Sequence, residues 1–158
     1  MMFPNPRPRL ACSFAAILCL AGQAAAAQGA HARMEVRDAW SRPAAAGGTG
    51  AGFLTLVNHG RDADALVAAE TPAATRVEIH RTGMTGGVMS MAPVRRLEIP
   101  AGGALTLGPG GAHLMLIGLK HAERPGDQIP AVLRLASGAR IRTNLVVRIT
   151  PPPDAKTR

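Results

Sequence analysis

The stretch Ala112-His113-Leu114-Met115-Leu116-Ile117-Gly118-Leu119 decides the fold class. Leu114 and Leu116 are two residues apart, as are His113, Met115 and Ile117, and a period of two places these two sets on opposite faces of a β-strand. His113 and Met115 then leave the same face about 6.6 Å apart along the backbone. Two other stretches repeat the pattern. In Arg76–His80, Val77 and Ile79 share a face, which puts His80 on the other with Glu78 and Arg76. In Arg140–Ile149, Ile141, Thr143, Leu145, Val147 and Ile149 alternate with Arg140, Arg142, Asn144 and Arg148, as in a strand with one face in water. The apolar sides predict a core, and the histidines are expected on the sides away from it.

Outward from these strands, Gly and Pro punctuate the chain at short intervals, leaving apolar segments too short for an ordinary helix. Predicted strands are Glu35–Trp40, Gly52–Val57, Ala65–Ala69, Arg76–His80, Val88–Met91, Val94–Ile99, Ala104–Leu107, Ala112–Leu119, Ala131–Ala136 and Arg140–Ile149. Many short strands at regular spacing predict an all-β sandwich or barrel. The domain is expected over residues 35–150, with a flexible leader at 28–34 and a disordered tail at 151–158. Pro151–Pro153 is expected to end the last strand, because proline cannot donate to a ladder.

The first 27 residues read as an address. Arg7 and Arg9 give a positive start, Leu10–Leu20 is an apolar run too short to span a bilayer comfortably, and Ala24–Ala27 offers small residues for cleavage after Ala25, Ala26 or Ala27. This is the grammar of a secretory signal peptide, and it predicts an exported protein with about 131 residues after cleavage. A lipoprotein signal through Cys19 would want a small residue where Leu18 stands. No second apolar run of membrane-spanning length follows.

Removal of the signal takes both cysteines, Cys12 and Cys19, which excludes disulfides, thiol nucleophiles, thiolate zinc sites and thiolate-bound blue copper from the remaining chain. The formal charge falls from +8 to +6. The arginines are scattered and only Trp40 and Phe53 remain as aromatic residues, so stacking platforms for nucleic acid are missing. A basic surface attractive to acidic proteins or anionic lipid is the better reading.

Met84, Met89, Met91 and Met115, with His80, His113 and His121, all fall between residues 80 and 121. Methionine at alternate strand positions reads either as core filler or as a ligand. If His113 and Met115 are ligands, the segment from His80 to Met91 is the natural supplier of the rest, since Gly83, Gly86 and Gly87 allow a turn that brings its ends together. Thioether is soft and neutral and imidazole borderline, so two of each favour copper(I) over hard ions. Methionine is not among the usual zinc ligands. Met89 is a candidate alternative ligand on the strand face of Met91, Met84 a loop residue in transient contact, His59 an exposed turn residue, and His121 an exposed residue just past the last apolar residues of its strand. His31 lies near the start of the cleaved chain, where nothing else supports a copper(II) site. No serine, histidine and acid set stands at suggestive spacing, which argues against an enzyme. A ligand-free adhesion module is the remaining rival.

His80, ten residues, Met91, twenty-one residues, His113, one residue, Met115: this spacing resembles the copper motif of the periplasmic PCu(A)C chaperone family. So do Asp38-Ala39-Trp40, Val77-Glu78-Ile79-His80, Gly87-Val88-Met89-Ser90-Met91-Ala92-Pro93-Val94, Ile99-Pro100-Ala101-Gly102 and Pro109-Gly110-Gly111-Ala112-His113-Leu114-Met115-Leu116, covering about Val36 to Ile149. The resemblance implies a cupredoxin-like or immunoglobulin-like Greek-key β-sandwich that binds one Cu(I) through His80, Met91, His113 and Met115. It also implies a monomer that delivers copper to respiratory oxidase assembly, either to the dinuclear copper centre of cytochrome c oxidase or to a Sco-type thiol protein; a copper buffer or resistance protein is the alternative. Ser90 and Ala92 stand where relatives often carry a basic residue, and residues 151–158 lack the extra His and Met that some relatives append.

Overall fold

The computed structural model describes residues 33–153. The signal, most of the leader with His31, and the last five residues lie outside that range. Ten strands run β1 (Met34–Ser41), β2 (Thr49–Asn58), β3 (Asp64–Glu70), β4 (Ala74–Thr85), β5 (Val88–Pro93), β6 (Leu97–Ile99), β7 (Ala104–Leu107), β8 (Ala112–Leu119), β9 (Gln128–Leu135) and β10 (Arg140–Val147). Each predicted strand has its counterpart, and no α-helix occurs among the described residues. Two boundaries differ in a way that matters. β4 continues five residues past His80, because its outer part pairs with β5. β10 stops at Val147, ahead of the prolines, where the Arg148 amide donates to Ser41 instead.

The strands follow one hydrogen-bonded path, β5-β4-β8-β2-β1-β10-β9-β3-β6, with β7 on β2. All pairs are antiparallel except β1 with β10. The path wraps one core to which β2, β3, β6, β8, β9 and β10 contribute Leu54, Leu66, Leu97, Leu114, Leu133 and Leu145. Alternation explains this arrangement: along β9, Ile129, Ala131, Leu133 and Leu135 are buried while Pro130, Val132 and Arg134 between them face outward. Burying each leucine contributes roughly 1.5–3 kcal/mol.

One irregularity gives the sandwich a second apolar cluster. Val36 pairs with Leu56 on the core side, but between Arg37 and Trp40 the register slips by one residue. Asp38 takes φ +51 there, a left-handed conformation that aspartate tolerates better than most residues. The bulge turns Trp40 onto the face of Phe53 rather than onto the leucine core. Both rings are buried, with centroids 4.6 Å apart, and the Arg42 guanidinium lies 5.7 Å over Phe53.

Glu123 is a buried carboxyl on the other side. It accepts a 3.2 Å hydrogen bond from Ser41 Oγ, its Oε1 has no partner among the described residues, and a Cβ on Gly50 would sit 3.0 Å from its Oε2. Burial pushes the carboxyl above its ordinary range, and the Ser41 bond only partly opposes that. The folded protein therefore holds this proton more tightly than the unfolded chain, so Glu123 lowers stability as pH rises through the interval between the two values. The thermal midpoint of Glu123→Gln minus that of wild type is expected to become more positive from about pH 4 to about pH 8. A difference that does not change with pH would show that the side chain is solvated.

Candidate metal centre

His80 on β4 and His113 on β8 stand directly opposite each other in the ladder. Their ring centroids are 6.2 Å apart. An imidazole nitrogen lies about 1 Å from its ring centre and bonds borderline metals at about 2 Å, so the two rings leave room for one ion between them.

The outer hydrogen bonds fix which nitrogens are free. His80 Nε2 lies 2.9 Å from Glu78 Oε2, an ionised carboxylate held below its usual range by hydrogen bonds from His80 and then Arg76. His113 Nδ1 lies 3.1 Å from the Gly111 carbonyl. Both partners only accept, so those nitrogens carry the protons. The lone pairs are left on His80 Nδ1 and His113 Nε2, and His80 Nδ1 is buried without a hydrogen-bond partner among the described residues. A ligand histidine whose second nitrogen donates to a carboxylate or a carbonyl is the usual metal-site arrangement.

His113 was expected on the side away from the core, and it does lie opposite Leu114 and Leu116 and outside the leucine core, yet it is only 6% exposed. Phe53 is the reason. Its ring centroid lies 6.3 Å from that of His113, so the face opposite Leu114 and Leu116 is lined by the Trp40–Phe53 cluster rather than by water. His80 is also largely covered, with 15% of its side chain exposed.

Met115 and Met91 flank the pair. Met115 is opposite Glu78, one pleat from His113, and half-buried. Met91 is opposite Thr82, one pleat from His80 on the other side, and exposed. All four side chains share a sheet face. The two histidines are immediate neighbours, whereas the two methionines lie on opposite sides of them along the strands. Among the described residues no three His, Cys, Asp or Glu side chains gather to hold a metal. An ion at this pair must complete its shell from other donors, and the thioethers are the soft ones the register offers.

Gly83 is not part of a turn, and Met84 is not in a loop. Both belong to β4, and the reversal is made by Gly86 and Gly87 alone, each at positive φ, between the paired residues Thr85 and Val88. His121 is exposed, as is His59, whose Nε2 lies 2.8 Å from Glu35 Oε2. Glu35 is pulled down to about 2, first by Arg37 and then by His59. The sequence reading passed over Phe53 and Arg42 as parts of the site, and nothing local in the chain distinguishes them. Glu78 was legible as a same-face neighbour of His80.

The β-sandwich fold is that of the PCuAC domain. The copper-bound PCuAC domain from PmoF2 superposes with a TM-score of 0.62 at 16% identity, covering 75% of this chain and 94% of that one. Copper(I)-loaded DR1885 from Deinococcus radiodurans is 32% identical with a TM-score of 0.53, covering 79% of this chain and 87% of that one. Residues 34–147 match the family model described as "Putative lipoprotein LpqE-like", and the chain belongs to that family. A relative from Leifsonia xyli subsp. xyli, described as "Putative lipoprotein Lxx21020", is 36% identical over 107 residues, 67% of this chain. The match spans 64% of that relative's length.

Proposed function

We propose that this protein is an exported copper(I) chaperone that holds one ion between His80 and His113, completes its shell with Met91 and Met115, and passes it to a thiolate acceptor. The observation that carries the reading is the facing imidazole pair, each ring with one nitrogen engaged by an acceptor and the other unengaged among the described residues. The likeness to the copper(I)-loaded Deinococcus protein supports the choice of ion. Four neutral ligands suit a monovalent ion that must leave again. Thioether and imidazole hold copper(I) less tightly than a pair of thiolates, so transfer to a thiolate site runs downhill without an energy source. The acceptor is the dinuclear copper centre of cytochrome c oxidase or a Sco-type thiol protein, approached in the periplasm by a monomer after signal cleavage. Scattered arginines favour an acidic acceptor, with faster association at low salt.

Met91→Leu and Met115→Leu should each weaken copper(I) binding by about 10- to 100-fold. Neither should unfold the protein, because leucine for methionine nearly conserves volume. Anaerobic competition against a chromogenic chelator, with thermal melts on the same samples, checks both statements. Unchanged affinity in both variants removes the thioethers from the centre. For delivery, the gene is deleted at limiting copper and the purified oxidase assayed for copper, haem and activity. Loss of oxidase copper, restored by wild type but not by a His113→Ala, Met115→Leu variant, supports the chaperone reading. Full occupancy in the deletion strain would leave the protein a copper buffer.

A further inference from the structure

The ladder between β4 and β8 ends at Arg81 and Ala112, but β4 and β5 continue pairing from Arg81 and Ala92 to Thr85 and Val88. The end of this hairpin is therefore a two-stranded arm extending beyond β8. It carries four of the five exposed large hydrophobic side chains of the described residues: Met84 at 73%, Val88 at 69%, Met89 at 69% and Met91 at 59%. Three of these are thioethers, and the pleat puts them together. Met84 is directly opposite Met89, and Met91 is the next residue of β5 on the same face, which is also the face of His80 and His113. Directly opposed side chains start roughly 4.5–5.5 Å apart at Cβ. Met89 and Met91 start about 6.8 Å apart along the strand. Three rotatable bonds let each methionine close such gaps.

No core explains these residues, since among the described residues nothing buries them and leaving apolar side chains in water is unfavourable. From Thr82 to Pro93 the arm has no charged side chain, so a hard cation finds no carboxylate there. What it offers is three neutral, soft, non-titrating sulfurs.

We propose that Met84, Met89 and Met91 form a second, thioether-only site for a soft monovalent cation, which captures copper(I) at the tip of the arm and passes it to the histidine pair through Met91 as the shared ligand. The identity of the cargo rests on the copper reading above; the site itself does not. The transfer is ligand exchange without change of oxidation state. Met84 and Met89 release as His80 Nδ1, His113 Nε2 and Met115 engage, so the ion is never without sulfur.

The test titrates methyl-labelled [13C]methionine apoprotein with silver(I), a redox-inert probe, and follows each methionine methyl by NMR, assigned through single Met→Leu variants. In wild type, Met91 and Met115 should shift with the first equivalent, and Met84 and Met89 with a second. In His80→Ala, His113→Ala one equivalent should remain, shifting Met84, Met89 and Met91 and leaving Met115 unmoved. In Met84→Leu, Met89→Leu the stoichiometry should fall from two equivalents to one. Should the double histidine variant fail to fold, the wild-type titration and the double methionine variant decide alone. Met84 and Met89 methyls that stay still through two equivalents in wild type overturn the proposal, and shifts at Met91 and Met115 in that experiment would leave the histidine centre standing. Shifts at Met84 and Met89 with Met115 unmoved in wild type support the arm site while removing the four-ligand centre.

Discussion

Trp40→Ala is expected to destabilise the protein by about 3–5 kcal/mol, a large share of the 5–15 kcal/mol typical of a domain. Trp40 is among the largest fully buried side chains, and it stacks on Phe53. Its removal opens a cavity on the side of the sheet where the leucine core cannot relax to fill it, because the bulge at Asp38 directs this ring to the opposite face. Trp40→Phe should restore much of the loss by keeping an aromatic stack. Denaturant unfolding must be followed by circular dichroism, since Trp40 is the only tryptophan of the chain. The consequence reaches the candidate centre. Phe53 is the wall against which His113 rests, so the folded fraction of Trp40→Ala should also bind copper(I) more weakly. A loss under 1 kcal/mol would mean that the aromatic cluster is peripheral to the fold.

The second large effect is on affinity. His113→Ala is expected to weaken copper(I) binding by about 100-fold or more, equivalent to roughly 2.7 kcal/mol, because it removes one nitrogen ligand and leaves His80 facing a gap. The stability penalty should be about 1–2 kcal/mol, the ordinary range for one buried side chain whose only hydrogen bond among the described residues is to a backbone carbonyl. The two quantities therefore separate: the variant folds and fails to hold the ion. His59→Ala is the matched control, since that histidine is exposed and engaged with Glu35. Equal losses in the two variants would show that surface imidazole in general, rather than this pair, supplies the affinity.

Much of the fold was readable because burial on one face writes a period of two into each strand. Leu114 and Leu116, and Ile141, Leu145 and Val147, carry that signal without knowledge of their partners. The bulge was not readable. Asp38 is an ordinary strand residue by propensity, and its left-handed conformation makes sense only once β2 is beside it with Phe53 in register with Trp40. The burial of His113 was hidden for the same reason, since a face that alternation marks as outer becomes inner when a second cluster covers it. The arm from Thr82 to Met91 was broken by its glycines in the sequence reading. In the structure Gly83 is simply a strand residue paired with Ser90, and only the two consecutive glycines reverse the chain. Glu123 shows the opposite limit, because a lone acid in a loop carries no mark that its carboxyl will be buried against Ser41 and Gly50.

The central claim is that one copper(I) ion is held by two imidazoles and two thioethers, and a copper K-edge X-ray absorption spectrum of the protein loaded anaerobically with one equivalent tests it most directly. The extended fine structure should require two sulfur and two nitrogen neighbours. The sulfur shell should fall to one in Met115→Leu, and the nitrogen shell to one in His113→Ala. A shell of nitrogen and oxygen alone, unchanged by Met115→Leu, would contradict the account.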